Sequence, residues 1–275
     1  YYRKIKRRFI KQNKARLVVD KVLEIRQQMP RIGAKKLYYL LNQDLKILKI
    51  GRDKFIDILR ANHLLIAPKR SYHITTNSHH RFRKYNNQIL DLEINKPEQV
   101  WVSDITYIGK RDKPCYLSLI TDAYSKKIVG YNVSDNLNTE SSLVALRLAI
   151  KQRKNKDLVL IHHSDRGLQY CANEYQKLLS KNRIKPSMTK NSDPYENAVA
   201  ERINGVLKQE FNIDKYNKDL PIMKQIIKET VEIYNEKRPH LSNHMLTPNQ
   251  MHQQSKLKMK TYKTKNTCKN VLASV

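Results

Sequence analysis

Glycine is scarce in this chain: six in 275 residues, at positions 33, 51, 109, 130, 167 and 205, the nearest two eighteen apart. A G-x-G-x-x-G or G-x-x-x-x-G-K-S/T phosphate cradle needs glycines a few residues apart, so that backbone N–H groups can close on a phosphate. Neither can be built here, nor can the G-x-S-x-G elbow of esterases. Cysteine is also rare, with Cys115, Cys171 and Cys268 odd in number and far apart. Such a set offers neither a zinc ribbon nor a disulfide framework, and it suits a reduced, cytosolic compartment. No apolar run approaches the roughly eighteen residues of a membrane span. No secretory leader is visible, and the first residue is Tyr1, not Met, as in a fragment or the downstream part of a longer product. Acid is the last shortage: 25 Asp+Glu stand against 54 Lys+Arg, a net charge of +29. An excess of that size repels itself until a polyanion neutralises it, which points to nucleic acid or an anionic membrane.

More than half of the excess lies in residues 1–98, where 24 Lys+Arg face 8 Asp+Glu. The pattern there is helical. Leu17, Val18, Val22, Ile25 and Met29 recur at three- and four-residue spacing until Pro30 stops the run. A second helix fits 34–42 with Leu37, Leu40 and Leu41 inward. A third fits 52–62, with Phe55, Ile56 and Leu59 inward and Arg52, Lys54 and Arg60 outward. Three short helices ending on a basic face suit a helix-turn-helix-like DNA-binding domain over 1–67, with those three residues as DNA contacts. A basic helical bundle without base contacts shares the same pattern. Residues 68–98 mix basic, polar and aromatic side chains without a period, as in a basic linker that tracks phosphates or one that is merely solvated.

From Val100 the grammar changes to strands. Residues 100–108, 114–122 and 127–134 are rich in Tyr, Val, Ile and Thr between short polar turns. A helix over 139–152 follows, then a buried strand over 158–162, a helix over 173–181, a strand over 185–189 and a helix from 195. Another amphipathic helix runs from Leu220 to Tyr234. Three strands, then alternation, give a mixed α/β core over 99–252. A basic tail, 253–275, closes the chain; its last 21 residues hold six lysines and no acid.

Twelve acids fall between positions 99 and 211, so placement must sort them. Asp104 interrupts the first strand, where an unpaired charge is costly to bury. Asp165 follows the buried strand, at the carboxyl end where α/β sheets place their sites. Glu201 shares a helix face with Asn197, Asn204 and Lys208, opposite a stripe of Val199, Ile203, Val206, Leu207 and Phe211. Taken alone, that face is as consistent with solvation. Converging, the three carboxylates can hold two Mg²⁺ ions for in-line phosphoryl transfer, with basic neighbours on the DNA backbone. Four other features read as structural. Asp122 ends a strand, and His162 and His163 are adjacent and so point to opposite faces. His79 and His80 have no cysteine pair nearby, and His240 and His244 lack the Glu of a zinc helix.

The context of the three acids carries a resemblance. The segments are Trp101-Val102-Ser103-Asp104-Ile105-Thr106-Tyr107, His163-Ser164-Asp165-Arg166-Gly167 and Asn197-Ala198-Val199-Ala200-Glu201-Arg202-Ile203-Asn204, with thirty-five residues between Asp165 and Glu201. Together with Arg31-Ile32-Gly33-Ala34-Lys35-Lys36-Leu37 and Tyr234-Asn235-Glu236-Lys237-Arg238-Pro239-His240, they resemble DDE transposases of the insertion-sequence-three family, whose core is retroviral-integrase-like. The resemblance implies a ribonuclease-H-like fold and a catalytic, metal-binding triad of Asp104, Asp165 and Glu201. It also implies Mg²⁺, two ions with Mn²⁺ able to substitute, and DNA contacts at Lys208, Arg202 and Asn197. The helical domain would recognise the element's terminal inverted repeats, and a homo-oligomer would act on double-stranded DNA, element ends and target, in the bacterial cytosol, with no membrane partner. Frameshift joining of two reading frames would fit the absent Met. Two rival readings, a non-catalytic DNA-binding regulator and a ribonuclease-H-type nuclease, differ in metal-dependent nicking and in strand joining.

Overall fold

The computed structural model of the chain describes residues 1–67, 84–90, 92–109, 114–190, 197–216 and 219–259. Four helices come first: α1 (Tyr2–Gln28), α2 (Ala34–Leu40), α3 (Asn42–Ile47) and α4 (Arg52–Ala61). Of α1 only Val18 and Val22 are buried, and Leu17, expected inward, is exposed. The helix expected over 34–42 turns at Leu41 into the short α3. The turn keeps Leu37, Leu41 and Leu45 buried on one side and leaves Leu40, expected inward, at the surface. With an i, i+4 apolar row running through the break, periodicity could not reveal it. A turn through Lys49, in the left-handed region at φ 56°, leads to α4.

The sheet that follows has the order β3-β2-β1-β4-β5. Strands β1 (Val100–Ile108), β2 (Cys115–Asp122) and β3 (Ile128–Ser134) form an antiparallel meander. Strands β4 (Leu160–Ser164) and β5 (Ile184–Met188) run parallel to β1 on its other side. Side chains alternate between the faces, as strand geometry requires. Leu117, Leu119, Ile128 and Val133 pack under α8 (Ala198–Glu210) and α9 (Leu220–Lys237). Trp101, Ile120 and Val129 pack under α5 (Thr139–Gln152), α6 (Leu168–Cys171) and α7 (Asn173–Lys181). A side chain at Gly130 would place its Cβ 2.2 Å from the Ala145 carbonyl oxygen, so this glycine sets how closely α5 approaches β3. The short α10 (Pro248–His252) starts on a Thr247–Gln250 capping box.

Two boundaries differ from expectation for a stated reason. Strand β4 begins two residues later than 158 and runs on through Ser164, because pairing with β5 starts at Leu160 opposite Ile184. Leu158 and Val159 are apolar but exposed. Residues 84–90 and 92–98, expected in the linker, lean on the core: Gln88 N donates to Ser187 Oγ at 2.9 Å, and Ile89, Leu92 and Ile94 pack against Val100, Val102 and Ala200. His79, His80, the earlier linker, the start of the helix expected from 195 and most of the basic tail lie outside the described residues. The apolar core of the first four helices is continuous with the one beneath α8 and α9.

Candidate active site

Strand β1 is longer than its parallel neighbour, and that mismatch opens the site. β1 and β4 pair only at Val100–Ile161, Trp101–His162 and Val102–His163. Two residues beyond the last of these pairs come Asp104, still within β1 and paired to Leu119 of β2, and Asp165, just past the end of β4, so both lie where the two strands part. This is the crevice at strand carboxyl ends that open α/β sheets use. Asp165 Oδ1 accepts the Gly167 N–H at 3.0 Å, which ties the carboxylate into the turn after β4.

Helix α8 crosses this end of the sheet with Glu201 exposed in its first turn. The three carboxylates sense one another. Burial, then the charge of Asp165 and that of Glu201, push the Asp104 carboxyl up to about 7. Burial and the charge of Asp165 also raise Glu201. Among the described residues, no three His, Cys, Asp or Glu side chains are close enough to share a single ion as they stand. The acids are therefore within electrostatic reach but not closed around one point.

Two asparagines that the sequence placed on the α8 polar face hold Asp104 in position. Asn204 Nδ2 donates to Asp104 Oδ2 at 2.7 Å, and Asn197 Nδ2 donates to the Ser103 carbonyl at 3.0 Å. Both asparagines are buried, and the Oδ1 of each has no partner among the described residues. Asn197, expected as a DNA contact, thus faces the sheet. Lys208 is half-buried; burial lowers its pKa while the charges of Asp104 and Asp214 act to raise it, so it looks toward the carboxylates. Arg202 is exposed and turns the other way, its charge felt at Lys36, Tyr234 and His240. On α4, Arg52 pairs with Asp53 at 3.0 Å and Arg60 with Asp57, leaving Lys54 to carry the excess on that outer face.

On the sheet face opposite the Asp104 side chain, the groups nearest the site are polar. His162 Nε2 lies 2.7 Å from Ser103 Oγ and 2.9 Å from Tyr175 Oη, and burial with His163 beside it drives its pKa down to about 3. His163 turns to the opposite face, 2.9 Å from Ser187 Oγ. Tyr170 is buried next to the acids, and burial, Tyr175, Asp104 and Asp165 raise its hydroxyl well above the phenol range. Its place in the short α6 left no signal in the sequence. His240 and His244 have other partners: His240 accepts from Arg238 at 2.7 Å, and His244 lies 2.8 Å from the Lys258 carbonyl.

The integrase core domain family matches in two overlapping segments, residues 94–194 and 182–248. The chain is 34% identical over 236 residues to the insertion element IS600 uncharacterized 31 kDa protein of Shigella sonnei, covering 84% of each. It is 36% identical over 119 residues to a putative transposase for insertion sequence element IS986/IS6110 of Mycobacterium tuberculosis, spanning 42% of this chain and 43% of that one. Transposase InsF for insertion sequence IS3fB of Escherichia coli is 30% identical over 166 residues, 60% of this chain and 57% of the relative. The simian T-cell lymphotropic virus intasome, solved with a PP2A regulatory subunit, shares the fold at 18% identity and a TM-score of 0.51, over 84% of this chain and 78% of that one. The core is thus ribonuclease-H-like, preceded by a helical region. No helix among the described residues is long and apolar enough to cross a membrane. The chain belongs to the insertion-sequence-three family of transposases, enzymes of the polynucleotidyl-transferase type built on an integrase core.

Proposed function

We propose that this chain cleaves DNA at the ends of an insertion element and joins the freed strand to a target, with Asp104, Asp165 and Glu201 as its catalytic carboxylates. The observation that carries the reading is the crevice where β1 and β4 part, in which burial first, and then the charges of Asp165 and Glu201, push the Asp104 carboxyl up to about 7. The donor set fits a pair of Mg²⁺ ions, with Mn²⁺ as a substitute. It offers hard carboxylate oxygens, and the orphaned Oδ1 atoms of Asn197 and Asn204 suit the water that Mg²⁺ retains.

When bound, such ions polarise the attacked phosphate and acidify the attacking water or 3′ hydroxyl. The chain's own residues do the rest. Asn204 and the Ile105 N–H fix the Asp104 carboxylate, the latter donating to Oδ1 at 3.0 Å. Lys208 sits seven residues beyond Glu201, about 10 Å along the axis, where a cation grips a phosphate beside the scissile one. Lys54 and its neighbours on α4, with Arg202 on α8, approach the duplex elsewhere, and the element's inverted repeats are read by the helical module. Two ends must be held for concerted joining, so the active form is an oligomer on DNA, working in the bacterial cytosol.

The test uses a duplex carrying the native element end with Mg²⁺. Wild type should nick at the element boundary and yield a joined product. Glu201→Gln should bind the end and do neither. Nicking without joining would favour a nuclease, and undiminished cleavage by Glu201→Gln would remove the carboxylate assignment.

A further inference from the structure

The last residue of α8 is tied to the DNA-facing module by more contacts than a surface glutamate needs. Glu210 Oε1 accepts from Lys36 Nζ on α2 and from Arg238 Nη2 just after α9, both at 2.7 Å, and Oε2 accepts from Arg238 Nε at 2.9 Å. Its backbone carbonyl accepts the Arg31 N–H at 2.9 Å, in the turn between α1 and α2. The three side chains are largely withdrawn from solvent, at 12% exposed for Lys36, 18% for Glu210 and 3% for Arg238. A second tie runs from Lys237 Nζ to Gln28 Oε1 at 2.9 Å. Around these polar links the apolar cores of module and catalytic domain are continuous. One buried anion between two cations has no neutral substitute, because without it Lys36 and Arg238 would face each other.

From this geometry we infer that Glu210 and Lys36 form a clasp that fixes the helical module to the helix carrying Glu201, so that the position of the recognised sequence sets which phosphate is cut. The inference rests on the proposed end cleavage. Its physical basis is distance. Glu201 and Glu210 lie on one rigid helix, about 13.5 Å apart along the axis. The carboxylate therefore moves with any shift of the module while the clasp is closed. A loose module would still bind the ends but would let the reacting phosphate wander, and a displacement of about 1 Å can slow a reaction 10²-fold. Arg238 gives the clasp its rigidity on the core side, since its guanidinium also donates to His240 at 2.7 Å and lies over the Tyr234 ring. Glu210 and Lys36 act through Glu201 and are positioning residues.

The full-length chain can be tested with Lys36→Met, which keeps the packing and leaves the Glu210–Arg238 pair in place, and with Lys36→Arg, which restores the charge. Three measurements are made on each: amide exchange at Arg31, binding to a duplex carrying the element end, and Mg²⁺-dependent nicking mapped to the nucleotide on that duplex and on one without the end. Lys36→Met should speed Arg31 exchange about tenfold, the loss expected of one charge-assisted hydrogen bond. It should bind the end within about threefold of wild type and nick the end-less duplex normally. On the end duplex, cutting should slow about tenfold and spread to neighbouring phosphates, with Lys36→Arg near wild type in both. Unchanged Arg31 exchange, or cutting at the wild-type site and rate, overturns the clasp. Loss of end binding overturns it in favour of a direct DNA contact, and equal slowing on both duplexes in favour of general damage. A wild-type protein that binds but never cuts counts against the proposed activity instead, and the clasp then stands or falls on Arg31 exchange.

Discussion

Two aspartates on adjoining strands of the same sheet show what separates a structural carboxylate from a reactive one. Asp122, at the end of β2, is fully buried, and its oxygens accept from Glu98 N at 2.8 Å and from Ser125 N and Oγ at 2.7 Å, with His252 Nδ1 3.7 Å away. Burial pushes its pKa up, but His252 and these donors outweigh burial and hold it below the ordinary carboxylate range. Asp104, in β1, has two donors and faces two acids, and it is pushed up to about 7. Glu98 is also surrounded by donors, its carboxylate accepting from the backbone of Lys154 and Asn155 at 2.8 Å. Donors complete one set of acids, whereas the other is left to be completed by cations. The sequence reads Asp122 as structural from its place at a strand end, and its surroundings supply the physical reason.

The sharpest way to break this comparison is to remove each carboxylate in turn. Asp104→Asn should cut Mg²⁺-dependent nicking by at least about 10³-fold, near 4 kcal/mol of transition-state stabilisation, while the protein remains folded and binds DNA. Asp122→Ala should do the reverse. It strands the Glu98 and Ser125 N–H groups in a buried turn and should lower unfolding free energy by about 3 kcal/mol in urea titrations. If Asp122→Ala unfolds like wild type but fails to nick, Asp122 belongs to the reactive set and the distinction is wrong.

The contrast also shows how far residue order reaches. The mixed core was legible because strand and helix periods differ and β-branched runs are punctuated by polar turns. Asp104, Asp165 and Glu201 could be named from placement and local motif. That β1 and β4 part just before Asp104 and Asp165 was not legible, since it depends on which residues pair, Val100 with Ile161 through Val102 with His163. The α8 polar face was found as a stripe, but its split was not. Asn197 and Asn204 turn into the sheet, while Arg202 faces the module. A helical wheel gives direction about an axis and not what stands opposite. The clasp at Glu210 was invisible for the same reason, its partners lying 174 and 28 residues away.

A smaller effect sharpens the reactive side. Lys208 feels Asp104 and is half-buried at the edge of the site. Lys208→Ala should reduce both nicking and joining about tenfold, near 1.4 kcal/mol, by loosening the phosphate beside the scissile one. Lys208→Arg should keep most activity, and the deficit of Lys208→Ala should narrow as DNA concentration rises. Wild-type rates for Lys208→Ala at every DNA concentration would leave the lysine without a positioning role.

The smallest effect needs no DNA. The folded-state pKa of Asp104, about 7, lies above the 3.8 of an unperturbed aspartate. Between those values the folded protein holds a proton that the unfolded chain has lost. Stability from this group is therefore greatest below about pH 4 and is lost as pH rises through 7. Asp104→Asn does not titrate and keeps a carbonyl for the Asn204 donor, so it serves as the reference in which every other titration cancels. In metal-free buffer the melting temperature of Asp104→Asn should exceed that of wild type by an amount that grows from pH 5 to pH 8. Each kcal/mol corresponds to about 2–4 °C in a chain of this size. Saturating Mg²⁺ at pH 8 should then raise wild type toward the variant, because cations offset the repulsion that the amide removes. A melting difference that stays constant from pH 5 to pH 8 would mean that Asp104 ionises freely without metal, and the repulsive crevice would have to be abandoned.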